Sequence, residues 1–221
     1  MTHRWLALLT IGFLSVVVFF LFSIRLRPVA RPVSPLEASS QTLEEKSVLP
    51  LVNFLNPKKG SADVDAIVLV VFSDFQCQAC KELANTLNTL LQTVPDVRIA
   101  WKNMPNETSH PLAVSAAVAA HCAGQQGKFW EYHDALFEQQ ALLTETSLAS
   151  LADTLKLDTT KFQRCFQEKE TLPLVEKDLE EALALRIAAT PAIFIGEDRF
   201  VGALSLDALT AAVARARNAR L

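Results

Sequence analysis

At 221 residues, 50% of them apolar, the chain can bury a core of its own without metals or crosslinks. A net charge of −3 and a pI near 5.8 leave no broad basic surface. No Lys/Arg block stands out in the soluble part, so nucleic acid is not an expected partner.

The first element is an uncharged apolar stretch from Trp5 to Ile24, about the 20 residues a helix needs to cross a bilayer. A signal-peptide core runs to roughly 7–15 residues. Pro28 also sits badly for cleavage after Ala30, the nearest small-residue site. An uncleaved membrane anchor over 1–24 is the expectation; a cleaved signal and a buried core helix are the other readings. Residues 25–46 carry Pro28, Pro32 and Pro35 without apolar periodicity and read as a tether, with the folded body over 47–221. Arg25, Arg27 and Arg31 follow the span whereas Arg4 precedes it, and by the positive-inside rule alone this puts the body in the cytoplasm.

Within the body, Ala66–Phe72 is a continuous β-branched run of the kind buried on both faces of a sheet. Leu83, Leu87, Leu90 and Leu91 recur at helical spacing up to Pro95, and Val97–Trp101 predicts a second strand. Strand, helix and strand in this order imply a parallel pair with a right-handed crossover. Five helices follow. They are marked by Ala113 to Ala120, by Phe129 to Phe137, by Leu148 to Leu155, by Phe162 to Phe166 with Asp158 as a cap, and by Leu174 to Leu185. A hairpin of Ala192–Gly196 and Arg199–Ala203 and a closing helix over Leu206–Ala216 complete the body.

Cys77 and Cys80 fall at the start of the first helix, directly after the first strand. Three readings apply to such a pair: a redox couple, half of a metal site, or incidental thiols. A helix N-terminus favours a thiolate through its unpaired N–H groups and dipole, and a second cysteine one turn on can resolve a mixed disulfide. A zinc site wants a second closely spaced pair. Here Cys122 and Cys165 are single and far apart, with His110, His121 and His133 scattered near them, so the redox couple is favoured and no metal is expected. Pro191, preceded by Thr190 and followed by a strand, marks either a cis X–Pro bond or a strand-start proline.

The stretch FSDFQCQAC resembles the active-site segment of the DsbA-type thiol–disulfide oxidoreductases of the thioredoxin superfamily, in the branch that runs F-x-D-F-x-C-x-x-C. AAHCAGQQGKFWEYHDALF and KLDTTKFQRCF are similar to that branch's helical insertion, and ATPAIFIG to its cis-proline strand; the likeness runs from Ser61 to the C-terminus. It implies an α/β thioredoxin fold with a helical domain inserted at about 107–187, preceded by the membrane helix. It further implies catalytic Cys77 and Cys80, substrate contact at Thr190 and Pro191, and no cofactor. Expected partners are cysteine-containing exported proteins and a membrane redox partner that recycles the pair. By this resemblance the body lies outside the cytoplasm, in a periplasm or at the outer face of the cytoplasmic membrane, against the arginine count.

Two departures qualify the likeness. Gln78 and Ala79 replace the family's proline and the histidine of strongly oxidising members, which implies a less oxidising couple. Where thioredoxin carries a buried acid ahead of the first cysteine, this chain has Val71, leaving Asp74 as the nearest candidate for proton handling or, equally, a helix cap or surface residue. In an oxidising compartment Cys122 and Cys165 would pair as a structural disulfide; two buried free cysteines are the other reading. The competing function is a metallochaperone binding Cu(I) through Cys77 and Cys80, which neither a Met-rich stretch nor a neighbouring histidine favours.

Overall fold

The computed structural model describes residues 49–220. The expected span Trp5–Ile24 and the whole of the expected tether, 25–46, lie outside them. Among the described residues no helix is long and apolar enough to cross a membrane.

The elements run β1 (Lys58–Gly60), β2 (Ile67–Ser73), α1 (Gln78–Thr93), β3 (Val97–Asn103), α2 (Ala113–Gly124), α3 (Phe129–Glu138), a 3-10 turn (Gln140–Leu142), α4 (Glu145–Thr154), α5 (Thr159–Gln167), α6 (Leu172–Ala184), β4 (Ala192–Ile195), β5 (Asp198–Val201) and α7 (Leu206–Asn218). The sheet order is β1-β3-β2-β4-β5. β2 and β3 are parallel and joined by α1, whereas β4 lies antiparallel to β2 and β5 antiparallel to β4.

Register decides where the site forms. Ser73 pairs with Asn103 at the C-terminal end of the parallel strands, and Phe72 pairs with Ala192 at the start of β4. The chain therefore turns into α1 at the same end of the sheet where residue 191 enters β4. Sites in open α/β sheets form at such strand ends because loops and helix N-termini converge there.

β2 is buried along nearly its whole length because helices cover both sheet faces. On one face α1 packs Leu83, Leu87 and Leu90 with Leu209, Ala212 and Val213 of α7 over Leu69, Val71 and Ile193. On the other, Ala182 and Leu185 from the end of α6 meet Val70, Phe72 and Phe194. Each fully buried leucine contributes about 1.5–3 kcal/mol. Helices α2 to α5 build a separate apolar cluster that reaches the sheet through Phe75 and Trp101.

β1 was not expected from the sequence, since Lys-Lys-Gly carries no β pattern. Its backbone supplies the order: the Trp101 amide donates to the Pro57 carbonyl at 2.9 Å, and Ser61 donates to Val97 at 2.8 Å. Gly60, at φ +108, is needed because a Cβ there would lie 2.4 Å from the Val97 carbonyl oxygen. The hairpin is tighter than expected. Gly196, at φ +60, leaves β4 at Ile195 and lets β5 begin at Asp198. β3 extends two residues past Trp101, carrying Lys102 and Asn103 into the interior.

Those two residues explain how α6 is fixed to the sheet. Lys102 Nζ lies 3.3 Å from Asp178 Oδ1 and 2.7 Å from Glu181 Oε2, with only 2% of the lysine side chain exposed. Asn103 donates to Asp178 Oδ2 from its backbone at 2.9 Å and from its side chain at 2.8 Å. A buried charge is tolerated when its partners are this complete.

Candidate active site

The site grows from the turn after β2. The Asp74 carboxylate accepts from the Gln76 amide at 2.7 Å, the Asn106 amide at 2.8 Å and pairs with His110 Nδ1 at 2.9 Å. Asp74 is therefore neither a helix cap nor a surface residue: it is 2% exposed and ties the site turn to the segment after β3. None of its carboxylate hydrogen bonds goes to a sulfur.

The residue that caps α1 is Cys77. The Cys80 amide donates to its Sγ at 3.2 Å, so the sulfur occupies the place of a capping oxygen. Thr190 and Pro191, joined by a cis peptide bond, face it across the sheet end. In its thiol form Cys77 donates to the Thr190 carbonyl at 3.5 Å. Cys77 and Cys80 are both free thiols, the first 7% and the second 1% exposed.

The environments of the two thiols push them apart. The Cys80 side chain hydrogen-bonded to Cys77 is the largest cause of a Cys77 pKa lowered from 9.0 to about 6, aided by the Thr190 side chain and the Cys80 amide. Burial and the Asp74 charge oppose that fall. Burial raises the Cys80 thiol far above its ordinary range, and the hydrogen bond it gives Cys77 adds to this. The Ser73 side chain and the Asp74 backbone act in the other direction. One sulfur is thus a nucleophile near neutrality and the other holds its proton.

Three contributors escaped the sequence reading. Gln140, in the turn after α3, donates through Nε2 to the carbonyls of Phe75 and Cys77, each at 2.9 Å. Gln76 Oε1 accepts from the Leu112 amide at 2.7 Å, just before α2. Ser73 comes from the last position of β2. Glutamines in polar stretches carry no pattern by which a contact across 63 residues of sequence can be read.

Cys122 and Cys165 are joined by a disulfide from α2 to α5, their Cα atoms 5.8 Å apart. Among the described residues no group of three or more His, Cys, Asp and Glu side chains is placed to hold a metal ion.

A sheet of this order thus carries a free C-x-x-C pair capping the helix after β2, with a cis-proline opposite it. The Thioredoxin_4 model, described as thioredoxin, matches residues 60–215. The chain belongs to the thioredoxin family. This thioredoxin-family chain is also 32% identical over 150 residues to Na(+)/H(+) antiporter NhaA 1 of Salinispora arenicola, covering 68% of this chain and 23% of that protein. It spans about a quarter of the length of the curated relatives it matches. Among solved structures, a thioredoxin-like oxidoreductase from Silicibacter pomeroyi DSS-3 is similar with a TM-score of 0.66 and 26% identity, covering 75% of this chain and 94% of that one. The thiol-disulfide exchange protein alpha-DsbA2 from Wolbachia pipientis gives 0.67 at 19% identity, covering 74% and 88%, a likeness of fold. The structural neighbours of this thioredoxin-family chain thus include proteins named as a thioredoxin-like oxidoreductase and a thiol-disulfide exchange protein.

Proposed function

We propose that the chain is a membrane-tethered thiol–disulfide oxidoreductase acting outside the cytoplasm on cysteine-containing exported proteins, through Cys77 and Cys80. The observation that carries this reading is the placement of Cys77 Sγ, which caps α1 by accepting from the Cys80 amide at 3.2 Å and faces the cis Thr190–Pro191 bond; the opposed shifts of the two thiols agree with it. In the oxidising direction a substrate thiolate attacks Cys77 of the Cys77–Cys80 disulfide, and Cys80 leaves and takes up a proton. A second substrate thiol then attacks the substrate sulfur of the mixed disulfide, releasing reduced Cys77 and an oxidised substrate. Reduction is the same path reversed. Thr190 and Pro191 line the approach to Cys77, and an extended substrate segment is held there by backbone pairing.

Tethering rests on Trp5–Ile24, and a membrane redox partner would return the pair to its starting state. Segments like this one occur within longer chains named as Na(+)/H(+) antiporters, in keeping with a place at a membrane. The Cys122–Cys165 disulfide is in keeping with a compartment where thiols stay oxidised.

The test is trapping. Cys80→Ser should accumulate mixed disulfides with substrate proteins, and Cys77→Ser should form none; full turnover by Cys80→Ser overturns the roles. Tight Cu(I) binding with no dithiol exchange would favour the metallochaperone instead. A reporter fused after Leu221 and active only in the cytoplasm would defeat the topology.

A further inference from the structure

Cys80 must give up its proton each time it attacks Cys77 and regain it each time it leaves, yet burial holds it far from self-ionisation. At Val71 the strand behind it offers no acid. Behind Cys80 lies a cavity of about 10 Å³, lined by Val71, Ser73, Cys80, Ile99, Trp101 and His133. That volume is on the order of one water probe. The histidine comes from α3, in the helical insertion, and is 3% exposed.

The imidazole is fixed in place. Its ring centroid lies 4.6 Å from Trp101, 4.9 Å from Trp130 and 5.0 Å from Phe137. Nδ1 lies 2.8 Å from Asp134 Oδ1. A carboxylate there accepts, so Nδ1 carries the proton and Nε2 is left as the basic nitrogen of the ring. Asp134 in turn lies 3.0 Å from Lys59 Nζ and is 37% exposed, which connects the pair to solvent. The charged or titratable groups around this path are Asp134 on α3, Lys59 on β1, Cys77 and Cys80 at α1, and Asp74 in the site turn.

We propose that His133 is the proton acceptor and donor for Cys80, working through one water in the cavity, with Asp134 holding the imidazole in its reactive tautomer. This deepens the dithiol-exchange reading and rests on it. When a mixed disulfide on Cys77 is resolved, the Cys80 proton passes by way of the water to Nε2. The Cys80 thiolate attacks the Cys77 sulfur, the Cys77–Cys80 bond forms, and the bond to the substrate sulfur breaks with its electron pair. The substrate leaves as a thiolate, reduced by two electrons. In the reverse direction Cys80 leaves as a thiolate and a proton drawn from solvent reaches it by the same path, through the imidazole and the water. Burial pushes the His133 pKa below its ordinary 6.5, so the ring is neutral and able to accept at physiological pH.

The reduced full-length protein reacted with Ellman's reagent separates the steps: Cys77 attack releases one thionitrobenzoate and Cys80 resolution a second. In His133→Asn the first phase should be unchanged and the second slowed about 10²-fold at pH 7. The variant's second phase should also rise about tenfold per pH unit, as hydroxide replaces the lost base, whereas in the parent it is flat above the imidazole's pKa. Asp134→Asn, at a half-buried position, should slow the second phase severalfold; if His133→Asn fails to fold, this variant decides. Two phases in the parent with an unaltered second phase in the folded variants overturn the role of His133. A parent that shows no second phase at all overturns the dithiol-exchange reading itself.

Discussion

Gln140 grips the peptide carbonyl of Cys77 from outside the thioredoxin core, its Nε2 2.9 Å from that oxygen and 2.9 Å from the carbonyl of Phe75. The turn that presents the nucleophile is thereby braced by the helical insertion. Gln140→Ala should cost about 1–2 kcal/mol, the price of two carbonyls losing a shared donor. It should also slow Cys77 attack severalfold through a looser turn. Chemical denaturation and alkylation rates check both; unchanged values for each would mean water replaces the amide without loss.

Alkylation of Cys77 by iodoacetamide should follow its thiolate, with half the limiting rate near pH 6 where an ordinary cysteine gives 9.0. The folded pKa lies below the unfolded one, so the reduced fold gains stability as pH rises from about 6 toward 9.0 and loses it as pH falls through about 6. The disulfide form has no such thiol. The melting temperature of the reduced protein relative to the oxidised one should therefore rise with pH across that window. Cys80→Ser should move the alkylation midpoint upward, since the Cys80 side chain is the largest cause of the shift.

Replacing Cys122 and Cys165 together by alanine should cost about 4 kcal/mol in the chain-entropy account of a crosslink, applied here to a separation of 43 residues. Exchange by the folded fraction should persist, because the bridge joins α2 to α5 and Cys122 Sγ lies against the Thr171 hydroxyl rather than against either site sulfur. Peptide mapping without reductant that finds both thiols alkylated would remove the basis of this prediction.

Lys102→Met should destabilise the fold by about 3–5 kcal/mol. It leaves Asp178, whose carboxyl burial already pushes above its ordinary value, without its cation. Adding Asp178→Asn should restore part of the loss, because the uncompensated charge goes with it. A double variant no more stable than Lys102→Met would assign the cost to packing of the lysine stem over Phe72, whose ring centroid is 5.8 Å from Nζ.

The sheet and the C-x-x-C turn were legible because local pattern carries them: the unbroken β-branched run of β2, the leucine spacing of α1, and a proline placed just ahead of β4. β1 was not, because its three residues are specified by backbone pairing to β3 and by Gly60 rather than by side-chain alternation. The polar contributors were hidden for a related reason. Gln140 reaches the Cys77 turn across 63 and 65 residues, His133 through a cavity, and Gln76, beside Cys77 in sequence, ties the turn to Leu112 across 36, contacts that no spacing rule announces. His133 was visible as part of an apolar stripe at helical spacing and as one of three scattered histidines, neither of which ties it to Cys80. Asp74 drew attention by proximity to the cysteines, yet its carboxylate bonds go to Gln76, Asn106 and His110 and none to a sulfur.

The depth of the sulfurs bears on timing. For the activity proposed, a partner cysteine must enter a slot where Cys77 is only 7% exposed and the Thr190–Pro191 backbone closes one wall. A thiol on the rigid face of a finished protein cannot lie flat enough to reach it; one on a loose, stretched-out length of chain can. On the proposed activity, this geometry selects cysteines carried on extended, unfolded segments over those on folded faces.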